Sequence, residues 1–112
     1  MTKSFVSDYL NAGEVRGWKI ISTNYIAFDG DKLLIDTSTG SLIVTLPPTP
    51  AFGFTVEFSD GGNFAAVGKP LVVTTGNSFT IQGTLEDLIV DTKNASFALT
   101  FDGTDDWRLT EA

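Results

Sequence analysis

"LLIDTSTGSLIVTL", residues 33–46, is written a second time as "LIVDTKNASFALTF", residues 88–101. Laid end to end, Leu33 meets Leu88, Asp36 meets Asp91, Thr37 meets Thr92, Ser41 meets Ser96 and Thr45 meets Thr100, and the apolar positions between them correspond. Each copy reads as strand, polar turn, strand. In the first, Leu42, Val44 and Leu46 point one way along a pleat while Ile43 and Thr45 point the other. An Asp at a strand exit accepts backbone N–H groups two residues on, and the Ser, Thr, Gly and Asn that follow supply turn conformers. The expectation is one hairpin used twice.

The rest of the chain keeps that rhythm. Short runs of Val, Ile, Leu, Phe and Thr recur between Gly, Asp, Asn, Ser and Pro, which places strands near Trp18–Ser22, Tyr25–Phe28, Lys32–Asp36, Ser41–Leu46, Phe54–Ser59, Leu71–Thr74, Ser78–Gln82, Asp87–Thr92 with Ser96–Phe101 counted as one unit, and a closing Trp107–Thr110. Phe54, Val56 and Phe58 oppose Thr55 and Glu57, and Phe97, Leu99 and Phe101 repeat the alternation. A strand with one apolar face needs a second layer to cover it. The fold class expected over residues 17–112 is therefore all-β, a small antiparallel β-sandwich or jelly-roll-like barrel of about nine short strands. Ile43, Val72, Ile89 and Ala98 fall on outward positions where a monomer prefers polar groups, so Ile43, Val72 and Ile89 are the expected subunit interface.

Residues 1–16 differ. "SFVSDYLNAGEVRG" offers Ser4 or Ser7 as a helix N-cap, and a helical turn and an extended arm both fit it. Its apolar Phe5, Val6, Tyr9 and Leu10 need something to dock on. We expect an N-terminal attachment arm that uses these four residues against a neighbour.

Composition bounds the chemistry. A chain of 112 residues buries about two-thirds of its surface on folding, enough for one core. With 14 acidic against 7 basic residues, the net charge of −7 repels nucleic-acid phosphates and anionic lipid. No apolar run reaches the roughly 18 residues a spanning helix needs, and "MTKSFVSDYL" lacks the apolar centre of a signal peptide, so a soluble protein made in the cytoplasm is expected, with no membrane insertion. The absence of Cys removes disulfides and thiolate metal sites, and the absence of His removes the commonest general base.

Three acidic glycine turns, Asp29–Asp31, Asp60–Asn63 and Asp102–Asp106, are read as hairpin reversals, since Asp-Gly supplies the positive φ angles they need. None has the ligand spacing of a calcium loop closed by a bidentate Glu. A Ser-His-Asp triad is impossible without His, and carboxylate spacing alone selects no glycosidase pair. No catalytic, cofactor-binding or metal residue is assigned, and no cofactor is expected. Trp18, Tyr25, Phe52, Phe64 and Trp107 could offer faces to a sugar, with Trp107 and Phe64 the chosen glycan contacts.

The order of motifs adds a further expectation. "DKLLIDTSTGSLIVTLPPTPAFGFTVEFSDGGNFA" followed by "LVVTTGNSFTIQGTLEDLIVDTKNASFALTFDGTDDWRL" resembles a structural domain of phage tail fibres and other virion appendages. That group runs from an Asp-Thr hairpin through a strand ending in Leu-Pro and an Asp-x-Gly-Gly-Asn-Phe segment to a closing Phe-Asp-Gly-Thr-x-Trp-Arg; here Asp105 and Asp106 lengthen the last turn. The resemblance implies a small, often trimeric virion module that joins or decorates larger parts. The expectation is a non-enzymatic tail-fibre, baseplate-peripheral or capsid-decoration (head-fibre) subunit, a homo-oligomer docked on other virion proteins. The alternative is a receptor- or glycan-binding module, with a carboxylate-dependent glycan hydrolase behind it.

Overall fold

The computed structural model describes residues 17–62, 64–66 and 68–110, with the backbone of Glu14–Val15. Its strands are β1 (Glu14–Val15), β2 (Trp18–Ile21), β3 (Tyr25–Ile26), β4 (Lys32–Ile35), β5 (Leu42–Thr45), β6 (Thr55–Asp60), β7 (Leu71–Thr74), β8 (Thr80–Ile81), β9 (Leu88–Val90), β10 (Ser96–Phe101) and β11 (Asp106–Thr110). They form a seven-stranded sheet A, ordered β1-β2-β4-β6-β10-β11-β8, and a four-stranded sheet B, ordered β3-β5-β7-β9. The all-β sandwich expected from the alternation is what the chain builds. Glu14–Val15, within the expected arm, adds a strand to sheet A opposite Lys19 and Trp18.

The pleat decides the core. Leu33 and Ile35 of β4, Val56 and Phe58 of β6, and Phe97, Leu99 and Phe101 of β10 point inward from sheet A. Leu42, Val44, Leu71 and Val73 answer them from sheet B. Phe58 and Phe97, opposite each other in the register, stack at 4.9 Å between ring centroids. Buried side chains of this size each contribute about 1.5–3 kcal/mol.

Strand direction departs from the antiparallel expectation. From β2 to β10 each strand lies in the opposite sheet from the one before it, so the chain winds in flattened coils: β2, β4 and β6 run parallel in sheet A, and β3, β5 and β7 run parallel in sheet B. Antiparallel β9 and β10 then close the stack against β7 and β6. The repeated unit is consequently not a hairpin. Residues 36–41 carry the chain from β4 in sheet A to β5 in sheet B, and residues 91–95 carry it from β9 in sheet B to β10 in sheet A. Both copies are arches that straddle the core, flanking the β6–β7 coil on its two sides. A hairpin and an arch need the same sequence grammar, because each joins two half-buried strands through a polar turn.

With β4 taken as running upward, β2, β6, β8, β9 and β11 also run upward and β1, β3, β5, β7 and β10 run downward. The 36–41, 61–70 and 91–95 connections lie at the upper end, as do the start of β1 and the finish of β11. Residues 27–31, 46–54 and 102–105 gather at the lower end.

Candidate functional site

Across the middle of sheet B an uncharged row faces outward, with Asp87 and Asp91 flanking it along β9. Ile43 stands directly beside Val72, and Val72 directly beside Ile89, in the register of β5, β7 and β9. The three residues expected from parity alone form one straight row across the sheet. Ile43 is 42% exposed and Ile89 53%. Thr45 and Thr74 pair in the next outward row, and Ile26 of β3, 58% exposed, lies beside Thr45. An open groove of about 320 Å3 runs along Asn24, Tyr25, Ile26, Ile43 and Thr45. The Asn24 side-chain oxygen accepts the Ile43 N–H at 2.9 Å there, extending the short β3 edge by one backbone-like contact.

Ala98 does not join this face. It lies on β10 in sheet A, between Glu57 and Thr110 in the register, and is buried by those longer neighbours.

Trp107 is not a glycan platform in this fold. It is 0% exposed, tilted against Phe101 at 5.3 Å, and its indole N–H finds no partner among the described residues. Alternation along β11 puts it inside, with Asp106, itself buried against Thr80 and Gly83, and Arg108 on the other face. Phe64 is half-buried, its ring lying over Gly62 so closely that a Cβ there would meet ring carbons at 2.6 Å. Phe5, Val6, Tyr9 and Leu10, the attachment residues, lie outside the described residues.

The carboxylates of the acidic turns work locally. Asp31 is buried at the β2–β3 edge, where it accepts the Lys19 ammonium at 3.0 Å, the Tyr25 hydroxyl at 2.8 Å and the Phe28 N–H at 2.9 Å. Lys19 points inward there, reaching from β2 across to Tyr25 on the β3 edge of sheet B. Its pKa is raised by the hydrogen bonds to Tyr25 and Asp31, while burial and Asp31 raise that of the Tyr25 phenol. Asp106 accepts the Thr80 hydroxyl at 2.6 Å, the Gly83 N–H at 2.9 Å and Arg108 at 3.0 Å. Partial burial pushes the Asp106 carboxyl up, but these donors together hold it below the usual range. The Asp102 carboxylate accepts three N–H groups, from Thr104, Asp105 and Asp106.

Only Asp102–Asp106 is a hairpin turn, joining β10 to β11 within sheet A; Asp29–Asp31 and the Asp60 turn are sheet-to-sheet crossings. Among the described residues no group of His, Cys, Asp or Glu has the arrangement of a metal centre. No described helix is long and apolar enough to cross a membrane. One cavity of about 10 Å3, lined by Ile35, Thr37, Phe58, Leu71, Val90 and Phe97, is at the lower limit for a single water and far below a substrate. Neither protein-family profiles nor curated protein sequences match the chain.

Proposed function

We propose that this chain is a non-enzymatic structural subunit of a bacteriophage virion, in a tail fibre, a baseplate periphery or a capsid decoration, that works by self-assembly and by docking on other virion proteins. The observation that carries the self-assembly is the Ile43–Val72–Ile89 row. A chain of net charge −7 repels its own copies, and the outward β5–β7–β9 row presents Ile43, Val72 and Ile89 without a charge. Three copies with sheet B turned toward a common axis would line a triangular prism with these residues, which is the trimer we favour. Each apolar Å2 so covered contributes roughly 25 cal/mol. The virion setting rests on the motif order that resembles phage appendage domains.

The absence of Cys makes one variant decisive. Val72→Cys at the centre of the row should oxidise to disulfide-linked pairs of chains that reduction reverses. A Val72→Cys chain that stays unlinked under oxidation, while folded, argues against this face as the subunit contact.

A further inference from the structure

Among the described residues the three most exposed large apolar side chains, Phe52 at 81%, Leu85 at 72% and Phe28 at 65%, lie away from the Ile43–Val72–Ile89 row of sheet B. Phe28 and Phe52 belong to the lower end, and Leu85 to the connection that leads into the lower end of β9. We propose that this end is a docking surface for a basic protein partner, anchored by Phe28 and Phe52.

The turns that carry the two rings are tied to the sheet by backbone hydrogen bonds. Phe52 is the second residue of a tight turn closed by Phe54 N–H to Ala51 C=O at 3.0 Å, with Gly53 at φ +86° in the third place. The turn is tied to sheet A by Gly53 N–H to Phe101 C=O at 3.0 Å. The Phe52 ring rests on Gly103, where a Cβ would come within 3.1 Å of it. Phe28 sits one strand over, where Gly30 N–H reaches Thr55 C=O at 2.8 Å and the Lys19 ammonium stands 5.9 Å from the ring centroid. Aromatic side chains, Phe among them, are enriched at the core of protein interfaces.

Charge selects the partner. Asp29 adjoins Phe28, Asp102 and Asp105 belong to the turn of Gly103 on which Phe52 rests, and Glu86 and Asp87 follow Leu85; none forms an ion pair among the described residues. Of the nearby cations, Lys19 and Arg108 are held by Asp31 and Asp106, and Lys32 at the start of β4 stands over the Trp18 ring at 5.9 Å, so the carboxylates outnumber the free positive charge at this end. A second copy would bring like charge to like charge, and nucleic acid would do the same. A surface with Lys or Arg around an apolar pocket complements both the rings and their rim.

This inference is independent of the contact through sheet B. Its test is a titration of the 15N-labelled full chain with a short peptide alternating lysine and leucine, followed by amide shifts. Saturable shifts are expected at Gly30, Gly53 and Gly103, with affinity falling at least about fivefold in Phe52→Ser and in Phe28→Ser, and falling again as salt screens the rim. Both rings are exposed, so the variants keep the fold, and the same spectra verify it. Shifts centred instead on Asp91 at the upper end, or unaltered by the two substitutions, overturn the proposal. So does a neutral oligosaccharide of N-acetylglucosamine that moves these amides when the peptide does not, since that identifies a glycan site.

Discussion

The Asp60 carboxylate accepts the backbone N–H of Asn94 at 3.0 Å across 34 residues of chain. The same carboxylate takes the N–H groups of Phe64 at 2.9 Å and Ala65 at 3.2 Å. One side chain at the exit of β6 thus pins the 91–95 arch to the crossing that leads toward β7. Asp60→Ala leaves these donors without their charged acceptor and should cost about 2 kcal/mol, since bonds to charged groups are worth more than neutral ones. Urea denaturation checks it through a lower midpoint at unchanged slope.

Acid should find the same staples. Burial pushes the Asp60 carboxyl up, but the N–H groups of Phe64, Asn94 and Ala65 outweigh it and hold the pKa below 3.8. Asp106 is lowered likewise, and Asp102 is lowered by the N–H groups of Thr104 and Asp106. A carboxylate with a depressed folded-state pKa stabilises fully above its unfolded value and loses that contribution as pH falls through the folded value. Unfolding midpoints should therefore hold steady from neutrality to about pH 5 and drop below about pH 4. Asp60→Asn should flatten that drop.

The two Thr residues of the repeat should answer differently to one substitution. Thr37 is 1% exposed with its hydroxyl unpartnered among the described residues, whereas Thr92 is exposed. Thr37→Val removes a buried, unpaired hydroxyl at constant shape and should stabilise the fold by about 1 kcal/mol. Thr92→Val should change little. Thermal melts of the two variants side by side test the pair.

Trp107 is the keystone of the lower core, touching Phe101, which in turn meets Phe79 edge-on at 5.1 Å. Trp107→Ala should cost about 3–5 kcal/mol through the cavity it opens. Trp107→Phe should cost much less, because it also deletes the unpartnered indole N–H. Equilibrium unfolding followed by far-ultraviolet circular dichroism gives both values.

How far the sequence could be read depended on what each pattern leaves undetermined. Period-two alternation placed Leu42, Val44, Phe58 and Leu99 inside and Ile43, Val72 and Ile89 outside, because parity along a strand does not depend on the strand's partner. Pairing direction does depend on it. The Asp36-Thr37 and Asp91-Thr92 turns serve a hairpin or an arch equally, so the parallel coils were not legible. The inward series Leu33, Ile35, Thr37 continues past the end of β4, a trace of the arch, but a Thr in that place also suits a solvated turn. Trp107, chosen as a glycan contact, lies inside, since its charged neighbours Asp106 and Arg108 mark only the opposite parity. Ala98 has the parity of an outward residue and is covered by Glu57 and Thr110, longer side chains on strands that sequence order does not reveal. Phe52, between the 47–50 proline stretch and Gly53, was among the rings a sequence could offer to a ligand, and Phe28 was read only as the end of a strand.

The most direct measurement of the central claim is solution mass by light scattering for the native chain and for Ile43→Asp/Ile89→Asp. The native chain should weigh near three times 12.0 kDa, and the double variant should fall to a single chain with its β-sheet dichroism intact. A native chain that stays single at micromolar concentration, or a double variant that still trimerises, contradicts assembly through the outer face of sheet B.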